Sequence, residues 1–139
     1  MQETFVTEPK YISPIVNLKP YMAFLPAVIV AAGIAVLSLA EAGAMPSVRI
    51  SDKLLHGVMY CALAASLMGA FVYVGRARWT YCLLAWTGAA AYGALMEVLQ
   101  RFCTLTRSGE MADLYADMIG ALIGILCVVI FTTLRKNNS

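Results

Sequence analysis

Charge is scarce in this chain. Asp, Glu, Lys and Arg together make up 13% of its 139 residues, and there is a single histidine. A soluble domain carries about 25% charged residues, so a water-soluble globule is a poor fit. The net charge is only +2 and no basic tract is present, which argues against a nucleic-acid partner. The four cysteines, Cys61, Cys82, Cys103 and Cys127, contain no Cys-x-x-Cys pair. Their spacing suggests neither a zinc knuckle nor a disulfide scaffold, and buried thiols pack as small apolar groups. No internal repeat is visible. What the chain does have is apolar surface: 61% of residues are hydrophobic and the mean hydropathy is +0.77. These values describe an integral membrane protein.

A spanning helix needs about 20 apolar residues. Four stretches qualify, at Tyr21 to Ala40, Leu54 to Val74, Trp79 to Leu99 and Met111 to Leu134. The expected fold is therefore an all-α, integral membrane four-helix bundle. Each run ends at charged or turn-forming residues, such as Gly43 and Pro46 or the Gly75 to Arg78 turn. Ala42-Gly43-Ala44 has the look of a signal cleavage site. The apolar run before it is too long for a signal peptide and follows a tail with Glu3 and Glu8, so an uncleaved helix is expected. Trp79 and Tyr81 read as interface anchors. Residues 1–20 form a tail, 21–136 the four-helix domain, and 137–139 a short C-terminal tail.

Orientation follows from the basic residues flanking the spans. Lys10, Lys19, Arg76, Arg78, Arg135 and Lys136 fall on one side, against Arg49, Lys53, Arg101 and Arg107 on the other. This bias predicts both termini in the cytoplasm and a multi-pass protein of the inner (cytoplasmic) membrane.

The remaining polar residues are unevenly placed. The second span begins with Asp52 and Lys53, and with His56 four residues after Asp52, on the face that continues to Tyr60. The third ends with Gly93, Glu97 and Gln100 at spacings of four and three. The fourth opens with Asp113 and Asp117, and Gly120 and Gly124 extend that stripe. Arg101, Arg107 and Ser108 lie in the intervening connection. All fall at the outer ends of three spans. Glu97 lies about 4 Å and Asp117 about 8 Å inside its span, at 1.5 Å per residue. Acids at such depth are expensive and functional by default.

Each of these residues has a plainer reading. Asp52 is a natural N-cap, Asp113 an acid favoured by the helix dipole, and Glu97 with Arg107 an ion pair. His56 is also compatible with a structural hydrogen bond. Gly120-x-x-x-Gly124 reads as a packing face. What the plain readings explain less well is one cluster on one side.

The segments "DKLLH", "EVLQ" and "RSGEMADLYADMIGALIG" resemble the VanZ-like family of small bacterial membrane proteins. Its pattern falls here on Asp52, Lys53, His56, Glu97, Gln100, Arg107, Ser108, Asp113, Asp117, Gly120 and Gly124. Two departures stand out. Thr104-Leu105-Thr106 occupies a loop where many members have proline, and Asp117 stands where many have Asn. The family takes its name from a protein linked to teicoplanin resistance, so the resemblance implies a connection with the cell envelope. It supplies no settled substrate.

The side chains themselves suggest an acid–base and anion-binding site. His56 handles protons near neutral pH, with Glu97 and Asp113 as catalytic partners. Asp52, Lys53, Gln100, Arg107, Ser108 and Asp117 are the expected binding residues, and Arg107 suits bidentate contact with phosphate or carboxylate. Ser51, Thr106 and Ser108 are the available nucleophiles, without a serine-base motif. No cofactor is expected; a divalent metal on His56, Glu97, Asp113 and Asp117 is a secondary reading. The expected partners are the lipid bilayer and a lipid-linked envelope precursor or glycopeptide. Non-catalytic binding, and less favourably a proton-linked carrier, are the alternatives.

Overall fold

A computed structural model describes residues 19–40, 52–104 and 110–138. Among the described residues there are four α-helices, a short 3-10 segment and no strand. The 3-10 turn, Pro20–Phe24, leads directly into α1, Leu25–Leu39. Pro26 sits in the first turn of α1, where its missing N–H costs nothing. Then follow α2 (Asp52–Tyr73), α3 (Trp79–Cys103) and α4 (Met111–Asn137). All four apolar segments are long enough to cross a bilayer. The protein is an integral membrane four-helix bundle.

Its outer surface is that of a protein dissolved in lipid. Val36, Val58, Leu83, Leu95, Ile119 and Phe131 are all at least half exposed. In water such a surface would drive aggregation; in a bilayer it faces acyl chains. The hydrophobic effect therefore does not hold these helices together, and close backbone packing must do so.

Small residues meet that requirement between α2 and α4. A Cβ on Gly120 would fall on the Gly57 carbonyl, and one on Gly124 would fall on the Cys61 carbonyl. The glycine stripe of α4 is a packing face, as its spacing predicts. Ala64 and Ala121 are fully buried in the same core.

Side-chain donors tie the other helices in. Trp86 Nε1 donates to the Met118 carbonyl at 3.1 Å, joining α3 to α4. Tyr92 Oη donates to the Ala31 carbonyl at 2.7 Å, joining α3 to α1. At one end, Phe71 packs edge-on against Phe24 and at a tilt against Tyr81, with ring centroids 5.4 and 5.0 Å apart. There α2 ends in a Schellman turn: Arg76 N donates to the Phe71 carbonyl and Gly75 N to the Val72 carbonyl. Gly75 takes the positive φ, 74°, that this turn requires.

The helices outrun the apolar segments. α3 continues four residues past Leu99 to Cys103, α2 begins two residues before Leu54, and α4 ends three residues after Leu134. Lipid exposure requires apolar residues, whereas a helix does not, so hydropathy underestimates helix length at the polar ends.

Candidate functional site

The start of α2, the end of α3 and the start of α4 meet at the end opposite the Phe71 cluster. Within an apolar bundle, they bury four ionisable side chains. Fractional exposure is 2% for His56, 9% for Glu97, 5% for Asp113 and 0% for Asp117. His56 Nδ1 lies 3.0 Å from Asp117 Oδ1, within hydrogen-bond distance, and 4.0 Å from Glu97 Oε1. Thus one carboxylate from α3 and one from α4 converge on a single imidazole nitrogen of α2. Asp117, fully buried, lies directly against the sole histidine.

Helical phase explains the selection. Gly93, Glu97 and Gln100 are all buried on α3, and Asp113, Asp117, Gly120 and Gly124 all on α4. On α2, His56 and Tyr60 are buried, but Asp52 is exposed. Asp52 is the first residue of α2, at the open end of the bundle, so it reaches the rim while its carboxylate stays near His56.

Around this core lies a wetter shell. Lys53 Nζ stands 3.4 Å from Glu110 Oε2 and 3.5 Å from Asp113 Oδ1. Its side chain and that of Glu110 are more than half exposed, whereas Asp113 is covered. Glu110 also anchors the start of α4, because its backbone N–H donates to Glu97 Oε2 at 2.8 Å. Glu97 therefore joins two neighbours: one oxygen holds the α4 start and the other faces His56.

Gln100 has a different assignment from the acids. Its Nε2 donates to the Ser38 carbonyl at 3.0 Å and fastens α3 to the end of α1. Arg107 and Ser108, expected as binding residues, lie outside the described residues, as do Ser51 and Thr106. Arg101 is exposed on the last turn of α3.

Two participants escape a reading of charges alone. Glu110 precedes its helix, and its contacts with Glu97 and Lys53 reveal its place. Tyr60, fully buried one turn after His56, has no partner for its hydroxyl among the described residues. Its position on the His56 face was the available signal. Glu97 Oε1 and Asp117 Oδ2 are likewise without a hydrogen-bond partner among the described residues.

Donor atoms of His56, Glu97 and Asp117 lie within 4.8 Å of one another, and so do those of Asp52, His56 and Asp113. His56 is common to both groups. The arrangement can bind a cation, orient an imidazole, or present Lys53 to an anion at the rim.

The fold and this cluster define a multi-pass membrane protein with an ionisable centre at one end of its bundle. The VanZ/LLP1 family model matches residues 3–132, and the chain belongs to that family. No curated protein and no solved structure matches it significantly.

Proposed function

We propose that the cluster is a polar site at the external face of the inner membrane that acts on or binds an amphiphilic envelope molecule with an anionic head group. The carrying observation is the 3.0 Å contact of His56 Nδ1 with the fully buried Asp117. An ionised Asp117 accepts the Nδ1 proton and fixes the tautomer, which leaves Nε2 as the basic nitrogen. His56 then handles the proton, Glu97 and Asp113 tune it electrostatically, and half-exposed Lys53 attracts the head group. The bilayer delivers such a ligand laterally. A link to glycopeptide (teicoplanin) tolerance belongs to this proposal.

The distribution of charge favours a site over a carrier. Among the described residues, every buried charged side chain belongs to this one end. A proton or ion path through the membrane needs further polar stations along the spans.

Turnover is tested by incubating purified protein with a total lipid extract and following head-group products by mass spectrometry. The catalytic reading expects a new product from wild type and none from His56→Gln. Retention of an anionic lipid with no new product selects the binding form of the proposal. Neither product nor retention contradicts both forms.

A further inference from the structure

Among the described residues, the buried oxygens at the polar end without a hydrogen-bond partner include Tyr60 Oη, Glu97 Oε1 and Asp117 Oδ2. Buried polar atoms in native proteins are nearly always satisfied, and an orphan commonly marks a water or an ion. Two of these atoms belong to carboxylates that also flank His56 Nδ1. Their donor atoms and a ring nitrogen lie within 4.8 Å of one another.

Charge points the same way. Glu97 and Asp117 bring two carboxylates into a nearly closed space, and among the described residues the imidazole that lies against both can offset at most one. A net charge left in a low-dielectric interior is costly. A divalent cation with neutral imidazole balances both carboxylates. Metal–ligand bonds of about 2.0–2.2 Å place neighbouring donors roughly 3–4 Å apart. The observed separations from Nδ1 are 3.0 and 4.0 Å.

We propose that His56 Nδ1, Glu97 and Asp117 hold one divalent transition-metal ion. One nitrogen and two carboxylate oxygens suit zinc or manganese. Three protein ligands leave coordination positions for water or for a phosphate oxygen of an anionic head group, which the ion would polarise. The second group, Asp52, His56 and Asp113, is the weaker candidate. Asp52 is exposed, and Asp113 already faces the Lys53 ammonium at 3.5 Å.

The inference rests on the cluster being a working site. It changes what His56 does there, from carrying a proton to carrying the ion, because metal binding displaces the Nδ1 proton.

The test uses the full chain, without a polyhistidine tag, purified in detergent and stripped with chelator. Zinc and manganese are added separately, and bound ion per chain is measured by equilibrium dialysis and elemental analysis. Because the chain has one histidine, ring-15N-labelled protein reports directly which nitrogen meets zinc. The expected result is close to one ion per chain and a zinc-induced shift of Nδ1. Asp117→Asn and Glu97→Gln should each weaken binding at least about tenfold, whereas Arg78→Ala should bind as wild type. If a variant fails to fold, the wild-type nitrogen assignment decides. The proposal is overturned if neither ion is retained, if zinc shifts only Nε2, or if binding survives Asp117→Asn and is lost in Asp52→Asn. Failure to bind either ion, with His56→Gln still losing the envelope phenotype, removes the metal and leaves the acid–base reading standing.

Discussion

Asp117 of α4 occupies the space where a side chain on Gly93 of α3 would begin. A Cβ at Gly93 would lie 2.7 Å from Asp117 Oδ2 and 3.3 Å from the Tyr60 ring. The glycine lets a carboxylate enter the junction of three helices and reach His56. Gly88, five residues earlier on the same helix, has open space around its Cβ position.

That contrast gives the first prediction. Gly93→Ala should push Asp117 from His56, lower the thermal midpoint in detergent, and weaken any His56-dependent activity. Gly88→Ala should leave both unchanged, or raise stability slightly through helix propensity, worth about 0.5–1 kcal/mol. Equal behaviour of the two variants would remove the special status of Gly93.

The second prediction concerns the α2–α4 seam. Gly120→Leu and Gly124→Leu place side chains against the backbone of α2 and should sharply reduce accumulation in the membrane. Gly69→Ala, where nothing lies within 4 Å of the added carbon, should accumulate as wild type. Immunoblots of membrane fractions compare the three. Normal levels of both leucine variants would contradict backbone-close packing as the main hold on α4.

Much of this architecture was legible from hydropathy, and part of the site from spacing. The four spans follow from apolar run length, and the Glu97, Asp113 and Asp117 positions follow from helical phase. Other features were hidden for identifiable reasons. Gln100 has the same spacing signal as Glu97, yet its partner is a carbonyl of α1, and no periodicity within α3 can name a partner on another helix. Asp52 stays on the His56 side but is exposed because it is the first residue of α2. Glu110 enters through its backbone N–H, which every non-proline residue possesses and no motif records.

A third prediction separates rim from core. Lys53→Ala removes a half-exposed cation that stands near Glu110 and Asp113. The exposed pair with Glu110 adds little stability, so only loss of the cation beside the covered Asp113 should lower the thermal midpoint, by far less than loss of Asp117, and membrane level should not change. Retention of anionic lipid vesicles should fall, and added salt should reduce wild-type retention toward the variant's level. Wild-type retention by Lys53→Ala in low salt would remove Lys53 from the ligand-binding surface.

The core residue behaves differently. Asp117→Ala leaves His56 without its acceptor and opens a buried space. Loss of one partner from a buried pair costs about 3–5 kcal/mol, so this variant should unfold well below wild type. Asp117→Asn, nearly equal in volume, should retain more of the fold while losing the charge beside Nδ1. Thermal unfolding of the three proteins in one detergent gives the order; an Asp117→Ala midpoint equal to wild type would argue against a structural contribution from the pair.

Orientation sets which compartment the site faces. A reporter joined after Ser139 should be active only when cytoplasmic, which puts the polar end outside. Activity of an external-compartment reporter at that position would reverse the assignment and direct the site to cytoplasmic ligands.

The central claim is that the buried His56 cluster works rather than merely packs. Its most direct measurement is glycopeptide tolerance of cells carrying wild type, His56→Gln or Arg78→Ala, scored beside the membrane level of each protein. Gln keeps polarity and approximate size but cannot exchange the imidazole proton or supply its ring nitrogen. The predicted result is loss of the phenotype in His56→Gln at normal membrane level, with Arg78→Ala unaffected at the opposite end. A His56→Gln protein that accumulates normally and retains the full phenotype would contradict the claim and leave His56 a structural residue.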